Sequence, residues 1–208
     1  MYSVFANIRT VGDLFRSIKW AWQRAIKGYC ELDTYSVGDW FLNILPDMIE
    51  SVKNNRMGVP SVLMEEAMEY YKLNSVDEYN DAPEELRRKI DEYGDEKWNA
   101  ILTRMIFLLR ESNADTCTRC NPYEGAYLRI WAEFREKYGE WGESLWPDER
   151  EAAEEYRGKV ICFPAHLPEY KEISDKYFEE ERKIGEYQMR CKDAALELFS
   201  KWFYNLWI

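Results

Sequence analysis

The chain of 208 residues is long enough to bury a hydrophobic core without disulfide support. Its 39 Asp and Glu outnumber 28 Lys and Arg, for a net charge of −11, which opposes binding that depends on neutralising many phosphates; generic nucleic-acid and anionic-membrane binding are not expected. Aromatic residues make up 16% of the chain against a single histidine, which counts against the many enzyme classes that recruit imidazole near neutral pH.

From Thr10 to Lys27, the apolar residues Val11, Leu14, Phe15, Ile18, Trp22, Ala25 and Ile26 recur at 3- and 4-residue spacing, and Gly28 stands where a left-handed cap ends a helix. Such a stripe is expected to face the core. Residues 1 to 30 carry five basic groups (Arg9, Arg16, Lys19, Arg24, Lys27) against Asp13, so an acidic protein has a basic start. Ser36 and Asp39 resemble a capping box ahead of a second stripe of Trp40, Phe41, Ile44, Leu45, Met48, Ile49 and Val52. Pro46 falls inside it and predicts a kink or break near Leu45. After Met57-Gly58-Val59-Pro60 a shorter helix starts at Ser61, and residues 73 to 82 read as a loop.

Pro83 with Glu84 and Glu85 suits the first turn of a helix that Gly94 closes. The segment 95 to 111 is apolar around more than half its circumference and predicts a central helix. Tyr127, Ile130, Trp131, Phe134 and Tyr138 mark another, Pro147 opens one more through Tyr156, and 158 to 168 predicts an irregular crossover. From Glu169 one long helix is expected to the end, with Gly185 as a point of bending. No segment alternates with period two, so the expected class is all-α, a single domain over 1 to 208 built as a bundle of six to eight helices with a long C-terminal helix.

MYSVFANIRT lacks the unbroken apolar run of a signal peptide, and nowhere do eighteen apolar residues run together, so a cytoplasmic protein with no membrane association is expected. The five scattered cysteines, Cys30, Cys117, Cys120, Cys162 and Cys191, read as reduced thiols.

Four constellations bear on chemistry. Cys117, Cys120, Cys162 and His166 formally make a Cys3His zinc set, though the second half lacks a close ligand pair and ordinary free thiols explain it equally. Glu65, Glu66 and Glu69, followed by Glu92 and Asp95, reproduce the carboxylate spacing of the all-α nucleotide pyrophosphohydrolases, in which opposed helix faces hold Mg2+ against a phosphate chain. Solvated helix faces give the same pattern in a chain so acidic, and Gly94 interrupts the second half. Residues 140 to 181 hold thirteen acids against five bases, either a solvated face or a surface for a basic partner groove. Around Gly28 to Tyr35, the residues Arg24, Lys27, Tyr29, Asp33 and Tyr35 combine rings, cations and a carboxylate as a nucleotide-sized ligand needs, or as an inter-helix joint does.

The run Arg24-x-x-Lys27-Gly28-Tyr29, Asp33-x-Tyr35, Leu45-Pro46, Gly58-x-Pro60, Trp98-x-x-Ile101-Leu102-x-x-Met105 and the end from Ala195-Leu196 to Leu206-Trp207 resembles small all-helical proteins of unknown function encoded by tailed bacteriophages and prophages. Tyr35 stands where that family is expected to have Trp, and Gly38 where it is expected to have Asp; 61 to 93 and 112 to 185 read as insertions. The resemblance implies a bacterial host cytoplasm and assigns no reaction. The leading expectation is a non-enzymatic counter-defence or host-modulating protein that sequesters a host nucleotide signal, held by Arg24, Lys27, Tyr29, Asp33 and Tyr35, or a host defence protein, with no cofactor. The alternatives are an Mg2+-dependent pyrophosphohydrolase using Glu65, Glu66, Glu69, Glu92 and Asp95, and a homo-oligomeric structural or assembly accessory protein. The terminal cluster Trp202, Phe203, Tyr204, Leu206, Trp207 and Ile208 motivates the last.

Overall fold

A computed structural model describes residues 10–145 and 162–207. All regular structure among them is helical: α1 (Val11–Lys27), α2 (Val37–Asn55), α3 (Ser61–Tyr70), α4 (Val76–Asp81), α5 (Glu84–Glu111), α6 (Glu124–Tyr138) and α7 (Pro168–Trp202), with short 3-10 turns at Glu31–Thr34, Glu143–Leu145, Pro164–His166 and Phe203–Asn205. The all-α expectation and the long C-terminal helix hold. No helix among the described residues is long and apolar enough to cross a membrane. The chain clusters into two compact units, Met1–Cys117 with Gln188–Ile208, and Thr118–Tyr187.

The first unit is organised on α5. Trp98, Leu102, Met105 and Leu109 recur on one side of it and are fully buried, and α2 and α3 both pack against it, bringing Leu45 and Ile49 from one helix and Leu63, Ala67 and Met68 from the other. Burying such side chains is worth about 1.5–3 kcal/mol each before conformational entropy is subtracted, so this layer is the stability centre of the unit. The last part of α7 adds Trp202, whose ring lies 5.3 Å from that of Trp98, and Phe199, edge-on to Phe41 at 6.0 Å.

Gly94 does not close a helix. α5 runs unbroken for 28 residues, and Gly94 is buried inside it, where an added Cβ would lie 3.0 Å from Met64 Sδ and 3.4 Å from a Val59 methyl. The missing side chain lets α5 approach α3 closely, and that packing offsets the ~1 kcal/mol that glycine costs a helix interior. Pro46 likewise does not break α2: the helix passes through it, with Leu45, Pro46 and Ile49 all buried. The segment 73 to 82, read as a loop, contains α4. Ser75 Oγ caps it by accepting from Glu78 N–H at 3.1 Å, Glu78 reaches back to Asn74 N–H at 2.7 Å, and the Tyr79 hydroxyl donates to Asp91 on α5 at 2.7 Å.

The second unit pairs α6 with the first part of α7 around Phe134, which is fully buried and lies beside Trp131, Tyr138 and Tyr170. Tyr127 stacks on Tyr177 with centroids 4.0 Å apart and planes 5° from parallel. The helix expected from Pro147 through Tyr156 lies outside the described residues, as does the start of the crossover, 158 to 161; its remainder is irregular apart from the 3-10 turn Pro164–His166.

Helix α1 corrects the sequence reading most. Its apolar stripe faces solvent: Val11, Leu14, Phe15, Ile18, Trp22 and Ile26 are 41% to 71% exposed, while Ser17 and Gln23 on the other side are buried. Polar bonds to the turn that follows set this orientation.

Candidate functional site

Thr10 opens α1 with a reciprocal capping box to Asp13, and Gly28 closes it in the left-handed conformation, φ 79°. That turn folds Glu31–Thr34 back beside the last two turns of α1. Gln23 then binds Glu31 twice, its oxygen accepting from the Glu31 N–H at 3.1 Å and its amide donating to the Glu31 carboxylate at 3.0 Å; Lys19 Nζ reaches the same carboxylate at 2.8 Å. Lys19 and Gln23 hold the Glu31 carboxyl below its ordinary range.

At the next residue of the helix, Arg24 Nε donates to Asp33 Oδ2 at 2.9 Å and a terminal guanidinium nitrogen donates to Oδ1. The Cys30 N–H adds a third bond to Asp33 at 2.7 Å. The Asp33 side chain is 7% exposed, and the guanidinium holds its carboxyl at about 2, while Asp33 raises Arg24 in turn. A bidentate pair with an added backbone donor is a strong, directional contact.

This pair forms one wall of a groove of about 420 Å3 whose other wall is α2, where Trp40, Ile44 and Met48 line it at i, i+4, i+8 with Asn43, Asp47 and Ser51. A smaller hollow of about 180 Å3 shares Arg24, Asp33 and Trp40 and adds Leu32, Tyr35 and Asp39. Of the five residues expected to hold a nucleotide, Arg24, Asp33 and Tyr35 therefore converge. Tyr35 is 88% exposed at the margin, and Lys27 and Tyr29 line neither hollow.

Asp33 occupies the guanidinium fork that a phosphate would need, and Asp47, 3.6 Å from Arg110, adds a second carboxylate to the lining. The groove offers an apolar floor with acids beside it. Its α2 wall escaped the sequence reading, which took all of Trp40, Phe41, Ile44, Leu45, Met48 and Ile49 for one stripe. The signal lay in its width: Leu45 and Ile49 make a buried row, and the neighbouring row Trp40, Ile44, Met48 is left for the groove.

The carboxylates of α3 and α5 do not assemble as a metal site. Glu66 pairs with Lys97, Asp95 with Arg56 at 2.6 Å and Glu92 with Arg88 at 3.7 Å, while Glu65 and Glu69 are exposed. Since α5 is continuous, the interruption at Gly94 is not what separates them; Glu66, Glu92 and Asp95 each pair with a nearby cation instead. The zinc residues do not converge either. Cys117 Sγ is 3.8 Å from Glu111 Oε2, and His166 Nδ1 accepts from the Phe163 N–H at 3.2 Å with the two rings edge-on. Among the described residues no three His, Cys, Asp or Glu side chains are placed to hold a metal ion, and all five cysteines are free.

In the acidic stretch, Glu169 accepts from the Tyr138 hydroxyl at 2.9 Å and pairs with Lys137, and Glu172 and Glu179 pair with Lys176 and Arg182 along α7. That is the pattern of a solvated helix face. At the C-terminal end Trp202 is buried, while Phe203, Tyr204 and Trp207 are exposed. Comparison with protein-family models, curated protein sequences and solved structures returns no significant match.

Proposed function

We propose that the chain is a phage-encoded binding protein without catalytic activity, a counter-defence or host-modulating factor that captures a host protein in the groove between the Arg24–Asp33 pair and α2. The observation that carries this reading is that Asp33 already holds Arg24 at both guanidinium edges. A nucleotide would have to break that pair and place its phosphates against Asp33 and Asp47. An apolar side chain with a basic neighbour meets no such obstacle: it buries against Trp40, Ile44 and Met48, and its cation faces the two acids. The resemblance of the Arg24 to Tyr35 run to phage-encoded helical proteins supports the origin.

The test has two arms. A thermal-shift panel of cyclic and linear nucleotides is expected to leave the melting temperature unchanged, because a ligand of the folded state raises it. Stabilisation by a nucleotide that Tyr35→Ala and Arg24→Met remove overturns the protein reading. In the second arm, a host protein retained by immobilised wild type is identified and its affinity measured by calorimetry. Met48→Glu, at a position 59% exposed, is expected to lose that affinity and keep the fold. Equal affinity for wild type and Met48→Glu removes the groove from the reading.

A further inference from the structure

Helix α1 presents an uncharged stripe of six large apolar side chains to solvent and seats its polar side on the protein. The orientation is fixed. Turning the stripe inward would break the Gln23–Glu31, Lys19–Glu31 and Arg24–Asp33 bonds together, and of the three helix side chains that make them Gln23 is buried and Arg24 partly so.

The patch is large for a free surface. Phe15 and Trp22 leave roughly 250–300 Å2 uncovered, taking ~200 Å2 for an aromatic side chain. With the four aliphatic residues the stripe reaches on the order of 600 Å2, at the upper end of single patches on monomers and close to the ~800 Å2 per partner of a standard interface. Ala21 and Ala25 interleave with the large residues.

We propose that this stripe is the interface of a homodimer, in which two copies of α1 pair antiparallel about a twofold axis at Ile18. The stripe is self-complementary in that register. Ile18 meets its own copy on the axis, Phe15 falls opposite Ala21, Val11 opposite Ala25 and Leu14 opposite Trp22, so two of the four pairings set a large residue against a small one and the other two are apolar against apolar. Antiparallel pairing also opposes the two helix dipoles and keeps the basic ends at Arg24 and Lys27 apart, where a parallel pairing would bring them together. The second copy is favoured over a charged partner because the stripe between Val11 and Ile26 carries no ionised side chain to meet one. This interface lies on the opposite side of α1 from the bonds to Glu31 and Asp33 and does not depend on what the groove binds.

Sedimentation velocity over a dilution series tests it. Wild type is expected to sediment at twice the 25.0 kDa chain mass and to dissociate on dilution. Ile18→Glu and Ile18→Lys are each expected at the single-chain mass with unchanged far-ultraviolet circular dichroism, since Ile18 is 51% exposed in the protomer. An equimolar mixture of the two is expected to restore the doubled mass, because opposite charges then meet at the axis. Wild type at the single-chain mass throughout overturns the dimer. A doubled mass retained by both variants overturns α1 as its interface, and failure of the mixture to associate overturns the axis at Ile18.

Discussion

Asp33 holds Arg24 by two bonds to the guanidinium and takes a third from the Cys30 amide, so the turn after α1 is locked to the helix by one carboxylate. Its carboxyl ionises at about 2 in the folded chain against an ordinary 3.8. The folded state therefore binds fewer protons than the unfolded one between those values. The stabilisation is fully present above about pH 4 and is lost as pH falls toward 2. A full unit is worth ~1.4 kcal/mol, and partial solvation of Arg24 reduces the sum to about 1–2 kcal/mol. Asp33→Asn is expected to lower stability by that amount at pH 7, with the gap to wild type closing between pH 4 and 2 in urea titrations. A gap that does not change with pH would show that the ion pair is not its source.

At Gly94 two effects compete. Alanine gains up to ~1 kcal/mol of helix propensity, and its methyl presses on the flexible end of Met64, so Gly94→Ala is expected to be within about 1 kcal/mol of wild type. Gly94→Val adds branches toward the Val59 methyl and the Leu63 carbonyl and is expected to cost about 1–3 kcal/mol by overpacking. Thermal unfolding of both variants checks the pair. If valine is tolerated as well as alanine, close approach of α3 and α5 is not the reason for the glycine.

These two sites also show what the sequence made legible. Apolar spacing located most helices, because in most of them the apolar face is buried within its own unit. It could not say which way α1 turns, since Gln23, Arg24 and Lys19 choose their partners across a turn, and periodicity reports only that a face exists. Gly94 was misread because a glycine that ends a helix and one that admits a neighbouring helix look alike until the neighbour, Met64, is placed. Ser75 and Glu78 did carry a readable capping signal for α4, masked by the polar residues around them. At the candidate site, the proximity of Arg24, Asp33 and Tyr35 was legible from their crowding into one turn. Whether Arg24 faces a ligand or Asp33 depends on hydrogen-bond geometry that spacing does not contain.

Asn121 ties the two helices of the second unit. Its amide donates to the Tyr177 carbonyl and to Glu181, both at 2.9 Å, and its oxygen accepts from the Tyr123 N–H at 2.9 Å just ahead of α6. Removing a nearly buried side chain that makes three bonds leaves their partners unsatisfied, so Asn121→Ala is expected to cost about 1–3 kcal/mol. Amide exchange should rise first at the start of α6 and around Tyr177. Exchange that rises evenly through the chain would place the effect elsewhere.

The pairing of Glu66 with Lys97 leads to a prediction about metal. Mg2+ binds through oxygens gathered in near-octahedral geometry, and Glu66, Asp95 and Glu92 are instead paired with Lys97, Arg56 and Arg88. Recruiting them would require three ion pairs to open and their side chains to swing toward one point. Millimolar Mg2+ is therefore expected to leave the melting temperature unchanged, and nucleoside triphosphates are expected to release no pyrophosphate. Lys97→Met and Arg56→Met provide the counter-test, because freeing Glu66 and Asp95 should not create metal binding if their positions, rather than their partners, are unsuitable. A melting temperature that rises with Mg2+ in wild type and not in Glu66→Gln would restore the pyrophosphohydrolase reading, since only a preformed site gives such a concentration-dependent gain.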